Sequence, residues 1–115
     1  MNELIMSIFD GFTVDGVAIP VSFMFYEGHG EPYIVFSHED NDNSFSADDE
    51  LLKHVEYYDF DVYSKGNYLR IIESMKSILE ANGFTWQVSK TSPDMYEPDT
   101  KYFHKTLNFA IIKED

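Results

Sequence analysis

The chain has no cysteine, which excludes a disulfide framework and a thiolate zinc site and suits an intracellular or virion protein. It is also poor in positive charge, with 8 Lys and Arg against 21 Asp and Glu and a formal net charge of -13. A field of that sign repels DNA, RNA and anionic membrane surfaces, so neither direct nucleic-acid binding nor membrane binding is expected. Long apolar runs are missing. The opening "MNELIMSIFDGF" lacks a basic n-region and is broken by Asn2, Glu3, Ser7 and Asp10, so it fits neither a signal peptide nor a membrane span, and a soluble protein is expected. With only 4 prolines and 43% apolar residues, the chain is too hydrophobic to stay disordered. Its 115 residues are the length of one domain, 1–115, with a core able to stabilise itself.

Apolar spacing then gives the elements. Leu4, Ile5, Ile8 and Phe9 recur at helical intervals, with Asn2 as cap and Gly11 as stop. From Val17 to Tyr26 the pattern becomes strict alternation, predicting a strand in which Pro20 favours an edge or a bulge. "EGHGEP" at 27–32 reads as a turn into a second strand, Tyr33 to Ser37, and the two form a plausible hairpin. Leu52 to Tyr63 is a long third strand whose Lys53, Glu56, Asp59 and Asp61 leave the buried face ambiguous. Ser64 or Asn67 caps a second helix with an apolar stripe of Leu69, Ile71, Ile72, Met75, Ile78 and Leu79, ending at Asn82 and Gly83. Phe84, Trp86 and Val88 mark a fourth strand. Phe103, Leu107, Phe109 and Ile111 mark a last one, after the loop "KTSPDMYEPDT".

The order α-β-β-β-α-β-β predicts an α+β fold: a twisted, mostly antiparallel sheet of about five strands with its two helices mainly on one face. The other face is then partly polar or meets another subunit.

Chemical motifs are few. "HEDNDNSFSADDE" at 38–50 carries six carboxylates, Glu39, Asp40, Asp42, Asp48, Asp49 and Glu50. Read as an EF-hand from Asp40, it has Phe45 where the sharp turn needs glycine and Leu51 where a bidentate Glu is needed, so a solvated acidic loop is expected and no metal. His29, His38, His54 and His104 have no zincin spacing, and there is neither a phosphate loop nor a GxSxG nucleophile. No cofactor is expected, and no enzyme. Tyrosines are conspicuous: Tyr57, Tyr58, Tyr63, Tyr68, Tyr96 and Tyr102 lie around the third strand, the second helix and the last loop. A tyrosine ring buries area while its hydroxyl keeps a partner, which suits interfaces, although several of these also fit the core or its rim.

The segment "VEYYDFDVYSKGNYLRIIESMKSILEANGF", followed by "DMYEPDTKYFHKTLNFAI", resembles the small tail completion or tail terminator proteins of long-tailed bacteriophages and prophages. Those carry a strand, a Ser/Thr-Lys turn, an amphipathic helix ending in Gly-Phe, an acidic Tyr-Glu-x-Asp loop, and Tyr-x-His-Lys leading into the last strand. The likeness spans about half the chain, and the acidic stretch at 39–50 has no counterpart in it. It implies a non-enzymatic structural protein of the virion tail, assembled in the host cytoplasm. Such a protein forms a homo-oligomeric ring, usually a hexamer, at the head-proximal end of the tail tube. There it stops tube growth and supports head-tail joining, with the tail tube protein and a head-completion protein as partners. The candidate interface comprises Tyr58, Tyr68, Tyr96, Glu97, Asp99, Tyr102 and His104, together with Asp48, Asp49 and Glu50 of the acidic loop.

The charge supports a second reading, a small acidic protein that imitates nucleic acid and inhibits a basic host partner. Mimicry requires carboxylates held on a rigid surface, whereas these bunch in one loop. A generic monomeric interaction domain is a third reading.

Overall fold

A computed structural model describes residues 2–24, 32–39, 53–66 and 68–114. Among them are two α-helices, α1 (Asn2–Ile8) and α2 (Tyr68–Ala81), and eight strands in an α+β arrangement. The strands are β1 (Thr13–Val14), β2 (Val17–Ala18), β3 (Val21–Phe23), β4 (Tyr33–Glu39), β5 (Lys53–Ser64), β6 (Thr85–Gln87), β7 (Met95–Glu97) and β8 (Tyr102–Glu114). β1 and β2 form a separate hairpin. The main sheet runs β3-β4-β5-β8-β6, with β7 pairing β8 beside β6, which makes six strands where about five were expected.

Its spine is the antiparallel pair β5–β8, matched residue for residue from Lys53↔Glu114 to Ser64↔Phe103. Directly paired residues share a face, so the register resolves which face of β5 is buried. Tyr58, Phe60 and Val62 face the helices with Ile34 and Phe36 of β4 and Leu107 and Phe109 of β8. Tyr57, Asp59, Asp61 and Tyr63 point the other way. Against the first face α2 lays Ile71, Ile72, Met75 and Leu79, and α1 with the turn after it adds Ile5 and Phe9, completing one core. Phe60 sits at its centre with ring centroids 5.7 Å from Phe36, 5.6 Å from Phe109 and 6.2 Å from Phe9.

The helix ends follow local chemistry. Asn82 donates Nδ2–H to the Ile78 carbonyl at 2.8 Å, and Gly83 turns the chain at φ 94°, a conformation that disfavours a side chain. At the other end Ser64 is not a helix cap but closes a turn, accepting the Gly66 N–H at 3.1 Å and donating to the Gly66 carbonyl. Asn67 lies outside the described residues, and Asn2 belongs to α1 as its first residue. Leu69 is 59% exposed and drops out of the apolar stripe, as does Leu4 of α1.

The predicted strand from Val17 to Tyr26 is broken in two. Asp15 and Gly16 both hold positive φ, 54° and 82°, the signature of a type I′ turn, and this Asp-Gly pair folds Val17–Ala18 back on Thr13–Val14. A bidentate ion pair ties the turn to α2, with Arg70 Nε 2.7 Å from Asp15 Oδ2 and Nη2 3.0 Å from Oδ1. After Ile19 and Pro20 the chain resumes as β3, the sheet's edge, which suits the proline placed just before it. β3 pairs β4 in parallel, Val21↔Ile34 to Phe23↔Phe36, which overturns the expected hairpin. Phe25 and Tyr26 lie outside the described residues.

The fourth strand is also shorter than its alternation suggests. It stops at Gln87, and Val88–Lys90 form a 3₁₀ turn that leaves Val88 63% exposed. Thr91 organises this turn, accepting the Trp86 indole N–H at 2.8 Å and donating to the Gln87 carbonyl at 2.9 Å. Ser92 then returns to β8, its N–H reaching the Thr106 carbonyl at 2.8 Å, and β7 resumes the same edge at Met95. The segment read as a loop therefore contains a strand, joined to β8 by a turn in which Lys101 takes φ 64°.

Candidate functional site

Because both helices pack on one side, the opposite face of the sheet carries no helix among the described residues. Three consecutive β5–β8 pairs on that face are matched in chemistry as well as in position. Asp59 accepts a hydrogen bond from Asn108 Nδ2 at 2.8 Å. Asp61 accepts one from the Thr106 hydroxyl and lies 3.3 Å from His104 Nε2. Tyr63 stacks on its partner His104 with centroids 4.2 Å apart and planes 11° from parallel.

The stack continues across the sheet to β4, where Tyr33 lies 4.7 Å from Tyr63 at 17°. Tyr102 closes the end of the row edge-on, 6.1 Å from Tyr33 and 6.3 Å from Tyr63, with Lys65 Nζ 5.6 Å above its ring. Partial burial, then the negative charges of Asp61 and Glu97 with the neighbouring Tyr33 phenol, push the Tyr63 phenol up to about 12. Further along the face the 3₁₀ turn sets Lys90 Nζ 3.7 Å over the Tyr57 ring. Beyond it lies a groove of about 500 Å³ lined by Val55, Thr85, Ala110, Ile111 and Ile112 and the Asn82–Gly83 turn, where among the described residues the Tyr57 phenol is the one ionisable group.

The predicted interface residues are divided by this geometry. Tyr102 and His104 belong to the open face. Tyr68 and Tyr96 lie on the helix side, both at 5.0 Å from Phe103, Tyr68 in a parallel stack and Tyr96 tilted. There Asp94 accepts a hydrogen bond from Lys105 Nζ at 2.9 Å and another from Tyr68, and these donors hold its carboxyl below the usual range. Glu97 and Asp99 frame the β7–β8 turn, where Glu97 Oε1 accepts the Thr100 hydroxyl at 3.0 Å. Tyr58 is 2% exposed and packs edge-on against Phe84, so it belongs to the core rather than to a surface. Burial, followed by its hydrogen-bonded neighbour Glu56, raises its phenol pKa.

Asp48, Asp49 and Glu50 lie outside the described residues, as do His29, the EF-hand alignment from Asp40, and the acidic run at 40–50.

No protein-family model matches this chain, and no curated protein does either. Among the described residues no three His, Asp or Glu side chains gather around a common point to hold a metal, and no helix is long and apolar enough to cross a membrane.

Tyr33, Asp59, Asp61, Tyr63, Thr106 and Asn108 also belong to the open face and were missed as site residues. Their signal was available in the alternation of β5, because Asp59 and Asp61 at every second position place two carboxylates on one face of a strand.

Proposed function

We propose that this protein is a non-enzymatic assembly component, a tail completion or tail terminator protein of a long-tailed bacteriophage or prophage. It forms a homo-oligomeric ring at the head-proximal end of the tail tube, and it works in the virion after assembly in the host cytoplasm. The observation that carries the reading is the sheet face that bears no α-helix among the described residues, with its row of Tyr33, Tyr63, His104 and Tyr102. Stacked, half-buried rings make a pre-ordered surface, which loses little side-chain entropy when it is covered. The residues that resemble the terminator pattern supply much of this surface, through the strand ending at Ser64-Lys65 and the Tyr-x-His-Lys entry to β8.

The chemistry of the ladder is that of contact, since its carboxylates, Asp59 and Asp61, are engaged by Asn108, Thr106 and His104. That engagement also weighs against nucleic-acid mimicry by the sheet, in which the carboxylates would have to stand free as phosphates do.

Light scattering across a concentration series, with and without the tail tube protein encoded beside this chain, tests the proposal. A closed ring, or a discrete complex with tube subunits, is expected. A monomer indifferent to tube protein would overturn it.

A further inference from the structure

Two edges of the main sheet are open among the described residues, and they lie at opposite ends of the strand order. On one side β3 is outermost, and it ends in Phe23 and Met24, which are 38% and 60% exposed. On the other side β6 pairs β8 only as far as Thr85↔Ala110, so β8 runs on from Ile111 with no described strand in the outer lane. Ile112 is 63% exposed there, beside the groove with Val55, Gly83 and Ala110. An exposed sheet edge with apolar side chains is a template for strand addition. Monomeric proteins commonly guard such an edge with charge, yet Val21–Met24 carries none, and among the described residues no acidic or basic side chain lines the groove.

The net charge bears on what can fill these edges. Two copies at -13 each repel, so self-association is cheapest where the touching surfaces hold no carboxylate. Val21–Met24 and Ile111–Ile112 meet that condition, with Lys113 and Glu114 following at the end of β8, and the two edges are different surfaces, as a head-to-tail contact requires.

We propose that copies of this chain join through their sheet edges, the β3 edge of one adding to the outer edge of β8 at Ile111–Ile112 of the next. β4 is antiparallel to β5 and β5 to β8, while β3 is parallel to β4, so β3 and β8 run in the same direction. A neighbour rotated about an axis along the strands therefore adds its β3 parallel to β8, in line with β6. A heterologous contact that turns each copy about an axis parallel to the strands curves the row of copies and can close into a ring. This inference rests on the ring proposed above and names its contact.

The absence of native cysteine makes the test direct. Phe23→Cys and Ile112→Cys proteins are treated with a flexible bismaleimide, each alone and then mixed in equal amounts, with Met24→Cys replacing Phe23→Cys if the latter folds poorly. The expected result is a covalent dimer in the mixture and none in either protein alone. Dimer from Ile112→Cys alone would mean that the β8 edge pairs with itself and would overturn the head-to-tail contact. An uncross-linked mixture from a protein that light scattering shows to be oligomeric would overturn the edge contact and leave the ring standing. An uncross-linked mixture from a strictly monomeric protein would remove both.

Discussion

Replacing Phe60 with alanine tests whether the two helices and the sheet share one core. The ring is fully buried and meets three others, one each from the turn after α1, β4 and β8, so no single element can move in to fill its space. A buried Phe→Ala change costs about 3–5 kcal/mol, and a site walled by separate elements that cannot collapse belongs near the top of that range. Domains hold about 0.05–0.15 kcal/mol per residue, so the whole stability of this one is roughly 6–17 kcal/mol and the loss is a large fraction of it. With a urea slope of about 2 kcal/mol/M, a loss of about 4 kcal/mol lowers the unfolding midpoint by about 2 M. Phe60→Leu keeps most of the volume and should cost less than about 1.5 kcal/mol. Urea melts followed by circular dichroism give both values. A shift below about 1 kcal/mol for Phe60→Ala would refute the single shared core.

Three further outcomes are expected. The Tyr63 phenol, raised to about 12 in the folded state, keeps its proton while the unfolded chain ionises near its usual value of about 10. Its contribution is thus intact below about pH 10 and is lost as pH rises to about 12. Tyr63→Phe should flatten the alkaline fall in urea midpoint over that window, and an unaltered fall would contradict the shift. Gly83→Ala should cost about 1–2 kcal/mol from its φ of 94° alone, because the space around the added methyl is open; a neutral melt would show that the turn relaxes. A double-mutant cycle with Asp61→Ala and His104→Ala should give a coupling of about 0.5–1.5 kcal/mol, and a value within error of zero would separate the pair energetically.

Much of the fold was legible in the chain. α2 announced itself by its stripe and its Asn-Gly stop, and β5 and β8 by their length and β-branched or aromatic content. What misled was alternation read without its interruptions. "TVDGVA" holds an Asp-Gly turn that splits the run from Val17 to Tyr26, and Val88 continues the alternation of Phe84 and Trp86 only on paper, because Thr91 pulls the chain into a 3₁₀ turn. β7 was hidden in a polar loop, although Pro98-Asp99-Thr100-Lys101 between two Tyr-containing triplets is a turn signal. Of the site, sequence singled out Tyr102 and His104, but strand register alone could show that Tyr58 points into the core and Tyr63 away from it. Period-2 alternation sorts residues into two sets without saying which set is buried, and in β5 both sets contain tyrosines.

The matched ladder also explains how that register is held. A slip of one residue between β5 and β8 would carry Phe60 to the open face and Asp61 into the core. Such a slip would also separate Asp59 from Asn108, Asp61 from Thr106 and Tyr63 from His104, three adjacent pairs with side-chain partners of their own. Apolar contacts favour the observed register on one face, and these polar and stacked pairs favour it on the other. Part of the open face's polarity is therefore structural, and Asp59, Asp61, Thr106 and Asn108 should govern folding more than docking. In the proposed assembly, docking then falls to the groups at the ends of the face: the rings of Tyr33 and Tyr102 at one end, and the groove beside Ile112 at the other. Substitutions in the ladder should change unfolding before they change assembly, while substitutions at Tyr33, Tyr102 and Ile112 should do the reverse. Urea melts and light scattering on the same variants separate the two effects, and a ladder variant that blocks assembly while melting normally would move the contact surface onto the ladder itself.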